Sequence, residues 1–532
     1  MKRSITALAV IVPMLAVSAG TTVAFAEKSG GVLKAYHRGT PPSGSIHEEA
    51  TNSTLTPYMG VFNNLIMYKQ DEPQNSLNSI VPDLATEWSW SDDGTKLTFK
   101  LREGVKWHDG KPFSAKDVKC TWDMLQGKRK AKMRKNPRKA WYKNLNEVTV
   151  NGDNEATFHL KRRQPAFIAL LASGYSPVYP CHVPPKKMRT HPVGTGPFKF
   201  VSLKQNEHVK FTKNEKYWKK DRPFLDGIEW TIIKSRSTRV LAFVAGKFDL
   251  TFSADVTVPL LKDVKSQAPD AICELRTTNV STNLIVNQSS PPFDNPDVRK
   301  AMVLALDRKA FIDILSNGQN TQGGAMMPPS EGVWGMPPEF LKTVAGYAPD
   351  VEANREQARA IMKKLGYGPD NKLKVKVSTR NIAVYRDPAV ILIDHMKEIY
   401  IDAVLDTVET SNWHAKVARK DYMVGLNLTG IGVDDPDANF YENYSCGSQR
   451  NYTGYCKPEI EKLFEQQSMM DDQEARKKLV WEIDKRLQED AARPIIFHGK
   501  AATCWQPKVK GLVTHMNSLY NGWRMEDVWL DQ

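Results

Sequence analysis

Six cysteines in 532 residues are few. None stand in a CxxC, and none share zinc-ligand spacing with histidine, which excludes a zinc ribbon or a thioredoxin-like redox motif. Beyond the first 26 residues no stretch is apolar enough to span a bilayer. Sequence signatures of common enzymes are missing too. No serine has glycine at both −2 and +2, and no serine has lysine at +3. HExxH, P-loop and GxGxxG patterns do not occur. The 11 histidines are scattered. His182 and His191 share a proline-rich loop without a third ligand, so no metal and no cofactor are expected. Repeats and low-complexity tracts are absent. A composition of 41% hydrophobic and 25% charged residues rules out collagen-like, coiled-coil and largely disordered chains, and the length allows two to four domains.

What is present begins with export. Lys2 and Arg3 precede an apolar stretch over about residues 5–17, and Ala24-Phe25-Ala26 is a small-x-small cleavage site. Residues 1–26 therefore read as a secretory signal peptide, with the remainder exported and soluble. The net charge of +14 becomes +12 without that segment, since 72 Lys+Arg then face 60 Asp+Glu. Eight of those cations fall within residues 128–139. They read as a solvated face, with a patch for an acidic partner or membrane surface as the alternative. Nucleic-acid binding is not expected without a recognition motif. Disulfides form in an oxidising compartment. Cys446 and Cys456 flank a polar loop, CGSQRNYTGYC, that suits a local staple worth roughly 2–3 kcal/mol. Spacing leaves the other four cysteines open between pairs and buried thiols.

Strand and helix patterns alternate along the chain. Residues 96–102 (KLTFKLR) alternate polar and apolar and predict a half-buried strand. Ser114 to Asp117 resembles a capping box, followed by Val118, Trp122 and Leu125 at helical spacing. Residues 198–201 and 209–211 predict a strand pair, and residues 227–233 a buried strand. Asn295-Pro296-Asp297 marks a helix start, with Val298, Met302, Ala305 and Ile312 as one apolar stripe. Asn354 with Gln357 opens another helix, closed by Gly366. A strand over 372–377, a helix over 388–399 and a strand over 403–408 make a βαβ unit, hence a parallel pair and an α/β domain. Helices over 458–467 and 471–489 follow.

Several long stretches carry a family resemblance. Residues 84–125 (LATEWSWSDDGTKLTFKLREGVKWHDGKPFSAKDVKCTWDML), 194–201 (GTGPFKFV), 214–233 (NEKYWKKDRPFLDGIEWTII) and 278–312 (TNVSTNLIVNQSSPPFDNPDVRKAMVLALDRKAFI) resemble extracellular solute-binding proteins family 5. These are the cluster C binding components of peptide, nickel and related ABC importers. The resemblance implies an α/β, two-lobed periplasmic-binding-protein (Venus-flytrap) fold with an extra domain inserted in lobe I. On it, lobe I maps to 27–58, 190–275 and 498–532, the inserted domain to 59–189 and lobe II to 276–497. Cys446–Cys456 falls where similar proteins carry a lobe II disulfide. The implied function is non-enzymatic: a periplasmic monomer clasps a short peptide or peptide-like solute. It then delivers that solute to permease subunits driven by separate ATPase subunits.

The resemblance also nominates ligand contacts. Peptide-binding relatives pair the ligand amine with an Asp that follows a Trp-x-x pattern. In residues 428–436 (LTGIGVDDP), Leu428 takes the Trp place and Ile431 the Asp place. That leaves Asp434 or Asp435 as a substitute, against a plain helix start before Pro436. Arg386 falls near an Arg that holds a ligand carboxylate in some dipeptide binders, and Trp413 near a cleft aromatic. Glu48, in the loop over 38–54, and Trp334 complete the candidates. Because Ile431 departs from the pattern, an opine, a nickel chelate or an oligosaccharide stands as the alternative ligand. A secreted hydrolase, or a ligand-sensing partner of a membrane receptor, is the alternative role.

Overall fold

The structure is a computed structural model and describes residues 27–532; the expected signal peptide, residues 1–26, lies outside the described residues. Two lobes are built on two sheets. The first sheet runs in the order Val32–His37, Gly227–Ile232, His208–Lys213, Phe198–Lys204. Its first pair is parallel and the others antiparallel. Between Val32–His37 and Phe198–Lys204 the chain inserts an antiparallel four-stranded sheet: Ala85–Trp90, Lys96–Leu101, Glu155–Leu160 and Leu145–Asn151. KLTFKL alternates as its sequence demands, sending Leu97, Phe99 and Leu101 inward. Helix Ala115–Leu125 packs against the inserted sheet. Its capping box is formed by Ser114 and Asp117, and Cys120 is bonded to Cys181.

The second sheet runs from one lobe into the other and has six strands in the order Val256–Thr257, Ile495–Trp505, Ile272–Val286, Val424–Gly430, Leu373–Arg380, Ile401–Val408. The βαβ unit is present. Leu373–Arg380 and Ile401–Val408 pair in parallel over eight residues, with helix Ala383–Lys397 crossing between them. Two strands in this sheet are long enough to serve both lobes. The first five residues of Ile272–Val286 pair only with the far end of Ile495–Trp505, and Leu250 bridges that end to Val32–His37 through Ala35. The last seven pair with Val424–Gly430. Register breaks between Thr277 and Ser281, around Asn279 in the left-handed region at φ 51°. This is where the paired strands cross between lobes. It is flanked by a disulfide between the directly opposed Cys273 and Cys504, and Cys446 is bonded to Cys456 farther out.

Three expectations about helices need correction. The stripe expected from Asn295 to Ile312 is two helices, Pro296–Leu304 and Arg308–Ser316, because the Asp307 carboxylate caps the second by accepting from Ala310 N–H at 2.9 Å. The next helix starts at Val351, capped by Asp350 rather than Asn354, which lies inside it. The crossover helix begins five residues before Pro388, which lies inside it; a proline there cannot donate the i→i−4 hydrogen bond to Val384.

Candidate functional site

A cavity of about 390 Å³ lies where the two lobes face each other across the long strands, within the ~300–1,000 Å³ range of small-molecule sites. Its floor is the crossing itself: Thr278, Val280, Gly499 and Lys500. Lobe I supplies Arg38, Asn52, Arg236, Ser253 and Tyr520. Lobe II supplies Arg380, Tyr385, His414, Asn427, Arg450 and Tyr452. Topology explains the two central arginines. Arg38 directly follows the parallel strand Val32–His37, and Arg380 ends the parallel strand Leu373–Arg380. Open α/β sheets present ligand contacts at such carboxyl ends.

The walls are held in place from behind. Arg38 lies over the Phe252 ring at 5.0 Å. Arg380 donates to the Tyr385 hydroxyl at 2.7 Å and stacks on the same ring. Arg450 donates to Glu442 at 2.6 Å, and its carbonyl accepts from Arg493 at 2.8 Å. Asn52 donates to Ser253 at 2.6 Å. Burial pushes His414 down to about 3, with Arg380, Arg450 and Lys135 adding repulsion, so the ring is neutral at physiological pH. Tyr520 presses from lobe I against Gly430, where an added Cβ would fall 1.6 Å from the phenol oxygen. Trp141 of the inserted domain does the same at Gly432 and donates to the Ala438 carbonyl at 3.0 Å. Those two glycines flank Ile431, which is buried in the core cluster shared with lobe I. The position nominated for an ammonium partner is thus an apolar contact between lobes.

None of the six nominated ligand residues is among those lining the cavity. Glu48 is fully buried and takes two hydrogen bonds from Arg189, at 2.7 and 3.0 Å. Its neighbour Glu49 is clamped by Arg134, Lys135 and Arg138. The solvated reading of the basic run therefore fails for Arg138, which is buried, while Arg134 and Lys135 stay half-exposed as they pair with Glu49. Trp413 is 0% exposed, packed with Ile285, Val417, Tyr422 and Tyr452; its neighbour His414 reaches the cavity instead. Trp334 donates to the Asp434 carbonyl and lies under Arg476. Asp434 accepts from Val333 N–H and from Asn517, and burial pushes its carboxyl up to about 7. Asp435 caps helix Pro436–Asn443 and takes two hydrogen bonds from Arg476, at 3.0 and 2.9 Å. The helix-start reading is the one its contacts fit. Arg386 stays on the exposed rim beside Asp387 and Asn381.

The lining arginines went unnoticed in sequence because they are spread from 38 to 450. The one available signal was an arginine at the end of a predicted parallel strand, as at 380.

The chain and its fold are similar to known proteins. The family model described as bacterial extracellular solute-binding proteins, family 5 middle, matches residues 79–451. A probable di/tripeptide-binding protein 5 from Pseudomonas aeruginosa (strain UCBPP-PA14) is 25% identical over 478 residues, covering 81% of this chain and 84% of that protein. Heme-binding protein A from Haemophilus influenzae is 25% identical over 482 residues, covering 85% and 84%. Among solved structures, Haemophilus influenzae OppA in complex with RPPGFSPFR superposes with a TM-score of 0.82 at 20% identity, covering 95% of this chain and 100% of that one.

Proposed function

The chain belongs to the bacterial extracellular solute-binding proteins, family 5, and from that premise we propose that it is the periplasmic receptor of an ABC importer for short peptides or peptide-like solutes. The observation that carries this reading is the cavity of about 390 Å³ walled by both lobes and floored by the two strands that join them. Ligand touching both walls stabilises the closed state by its differential affinity for closed over open, and by no more than that. The relatives' names supply the solute classes: di- and tripeptides for one, heme for another. A cavity of about 390 Å³ favours a short solute.

In this reading lobe I spans 27–58, 190–275 and 498–532, the inserted domain 59–189 and lobe II 276–497. The hinge then sits at the register break between Thr277 and Ser281. Among the described residues no helix is long and apolar enough to cross a membrane, which fits a receptor that meets its permease from outside. The protein holds its solute and releases it unchanged.

The test is a thermal-shift screen of short peptides, opines and metal chelates, followed by small-angle scattering with each hit. A ligand at 100 times its Kd is expected to add about 2.7 kcal/mol of stability and to shrink the radius of gyration. A hit that stabilises without compaction, or that is hydrolysed by purified protein, overturns the reading.

A further inference from the structure

Positive charge is gathered in one stretch of the inserted domain. Between Asp123 and Glu147 the chain holds nine Lys and Arg and no carboxylate side chain. This stretch joins helix Ala115–Leu125 to strand Leu145–Asn151. Its inward side is fastened. Asn136 donates to the Leu125 carbonyl at 2.5 Å, and Arg138 donates to the Glu49 carbonyl at 2.8 Å beside the Tyr175 ring. Its outward side is not. Lys128, Lys130, Lys132 and Lys139 are exposed, and Arg129 is partly so. Among the described residues no carboxylate pairs with any of these five, and Lys128 reaches only the Asn146 carbonyl. Nearby acids are already engaged: Glu49 by Arg134 and Lys135, Glu48 by Arg189, Glu461 by Lys143.

The side chains left outward decide what they fit. Arginine forks match single carboxylates or phosphates in fixed geometry, whereas lysine is a point charge on a flexible stem. Here Arg134 and Arg138 are turned to Glu49, and four of the five outward cations are lysines. That suits a diffuse, mobile array of anions better than one fixed acidic residue. The aromatics of the stretch, Trp141 and Tyr142, are buried, so no ring is free to stack on a nucleic-acid base. A bilayer surface offers such an array, and clusters of roughly four to eight Lys and Arg bind its anionic headgroups. The stretch also adjoins the cavity. Asn136 N–H donates to the Gln449 side chain at 2.9 Å. The next residue, Arg450, lines the cavity, as does Ala50 after Glu49.

We propose that Lys128, Arg129, Lys130, Lys132 and Lys139 lay the protein on an anionic phospholipid bilayer, with one rim of the cavity next to the lipid. This goes beyond the solute-receptor reading, since it holds with or without solute. A basic side chain near an anionic surface strengthens attachment about fivefold, so five of them give on the order of a thousandfold over a neutral surface. The Debye length is ~10 Å at 0.1 M ionic strength, so attachment weakens steeply as salt rises.

The test is flotation of the mature protein with vesicles of phosphatidylcholine alone and of equal parts phosphatidylcholine and phosphatidylglycerol. At low salt, binding to the mixed vesicles is expected to exceed binding to phosphatidylcholine by about a hundredfold or more, and to fade in concentrated salt. The triple variant Lys130→Gln, Lys132→Gln, Lys139→Gln is expected to lose about tenfold or more, and the matching Arg substitutions to lose nothing. A second triple, Lys364→Gln, Lys372→Gln, Lys374→Gln, removes the same charge from exposed positions on lobe II. It is expected to lose less than about threefold. Every substituted side chain is exposed, and an unchanged Tm checks that each variant folds. Equal binding to both vesicles, full binding by the first triple, or equal losses by the two triples overturns the proposal. Binding to soluble polyglutamate but not to the mixed vesicles assigns the stretch to an acidic polypeptide and overturns it too. The first triple is expected to leave any solute-induced thermal shift intact, so the receptor reading stands or falls separately.

Discussion

Two charged regions of this molecule differ in where they sit. Around Arg476, every charge has a buried partner: Asp435 takes two of its hydrogen bonds, Asp437 a third, and Gln467 accepts from its Nε. Arg38 and Arg380 instead line the cavity between the lobes, one over the Phe252 ring and the other donating to the Tyr385 hydroxyl. The first region is closed in the interior; the second faces the cavity. Of the two, the cavity-lining arginines belong to the candidate site, although the interior charges sit in the more suggestive sequence, DDPD.

Four measurements test that contrast. Acid should produce the largest effect. Burial lowers His37, His47, His108, His395, His414, His498 and His515 from the usual value near 6.5. Their contribution is present above 6.5 and is lost as pH falls through that value toward 3–4. Burial raises Asp434 to about 7 and Asp435 and Asp484 to about 6, which favours the fold as pH falls over the same window. Seven histidines outweigh three carboxyls, so calorimetric Tm should drop by roughly 5–10 °C between pH 7.5 and 5. Next, Arg476→Ala strands Asp435 and Asp437 in the interior and should cost about 3–5 kcal/mol in urea denaturation. Glu48→Gln, which weakens the Arg189 fork and the bond from Arg134 N–H, should cost about 1.5–3 kcal/mol. Smallest, Arg38→Gln and Arg386→Ala should leave unliganded stability within about 0.5 kcal/mol. Arg386→Ala should also leave unchanged the affinity for any solute that the thermal-shift screen finds. A cleft variant as damaging as Arg476→Ala would erase the distinction between the regions.

The fold was largely legible. Alternation in KLTFKL, the box at Ser114 and the βαβ unit ending at Val408 are local patterns that the packing preserved. Helix ends drifted where a better cap lay nearby, as with Asp350 over Asn354. The site was not legible. Arg38 and Arg450 are separated by 412 positions and meet only through the strand crossing. No local pattern tells an arginine that faces a cleft from one on a rim. Trp413 and Asp435 were drawn from motif position, yet one side chain fills a core and the other starts a helix.

The bond between Cys273 and Cys504 closes a covalent ring 231 positions around, and that ring contains most of the six-stranded sheet. A protease that cuts one exposed loop inside it opens the circle without releasing a piece. Until the sulfurs are reduced, such nicked molecules should migrate as a single species on a denaturing gel. A receptor working outside the cell can thus lose a peptide bond and keep all its parts tethered.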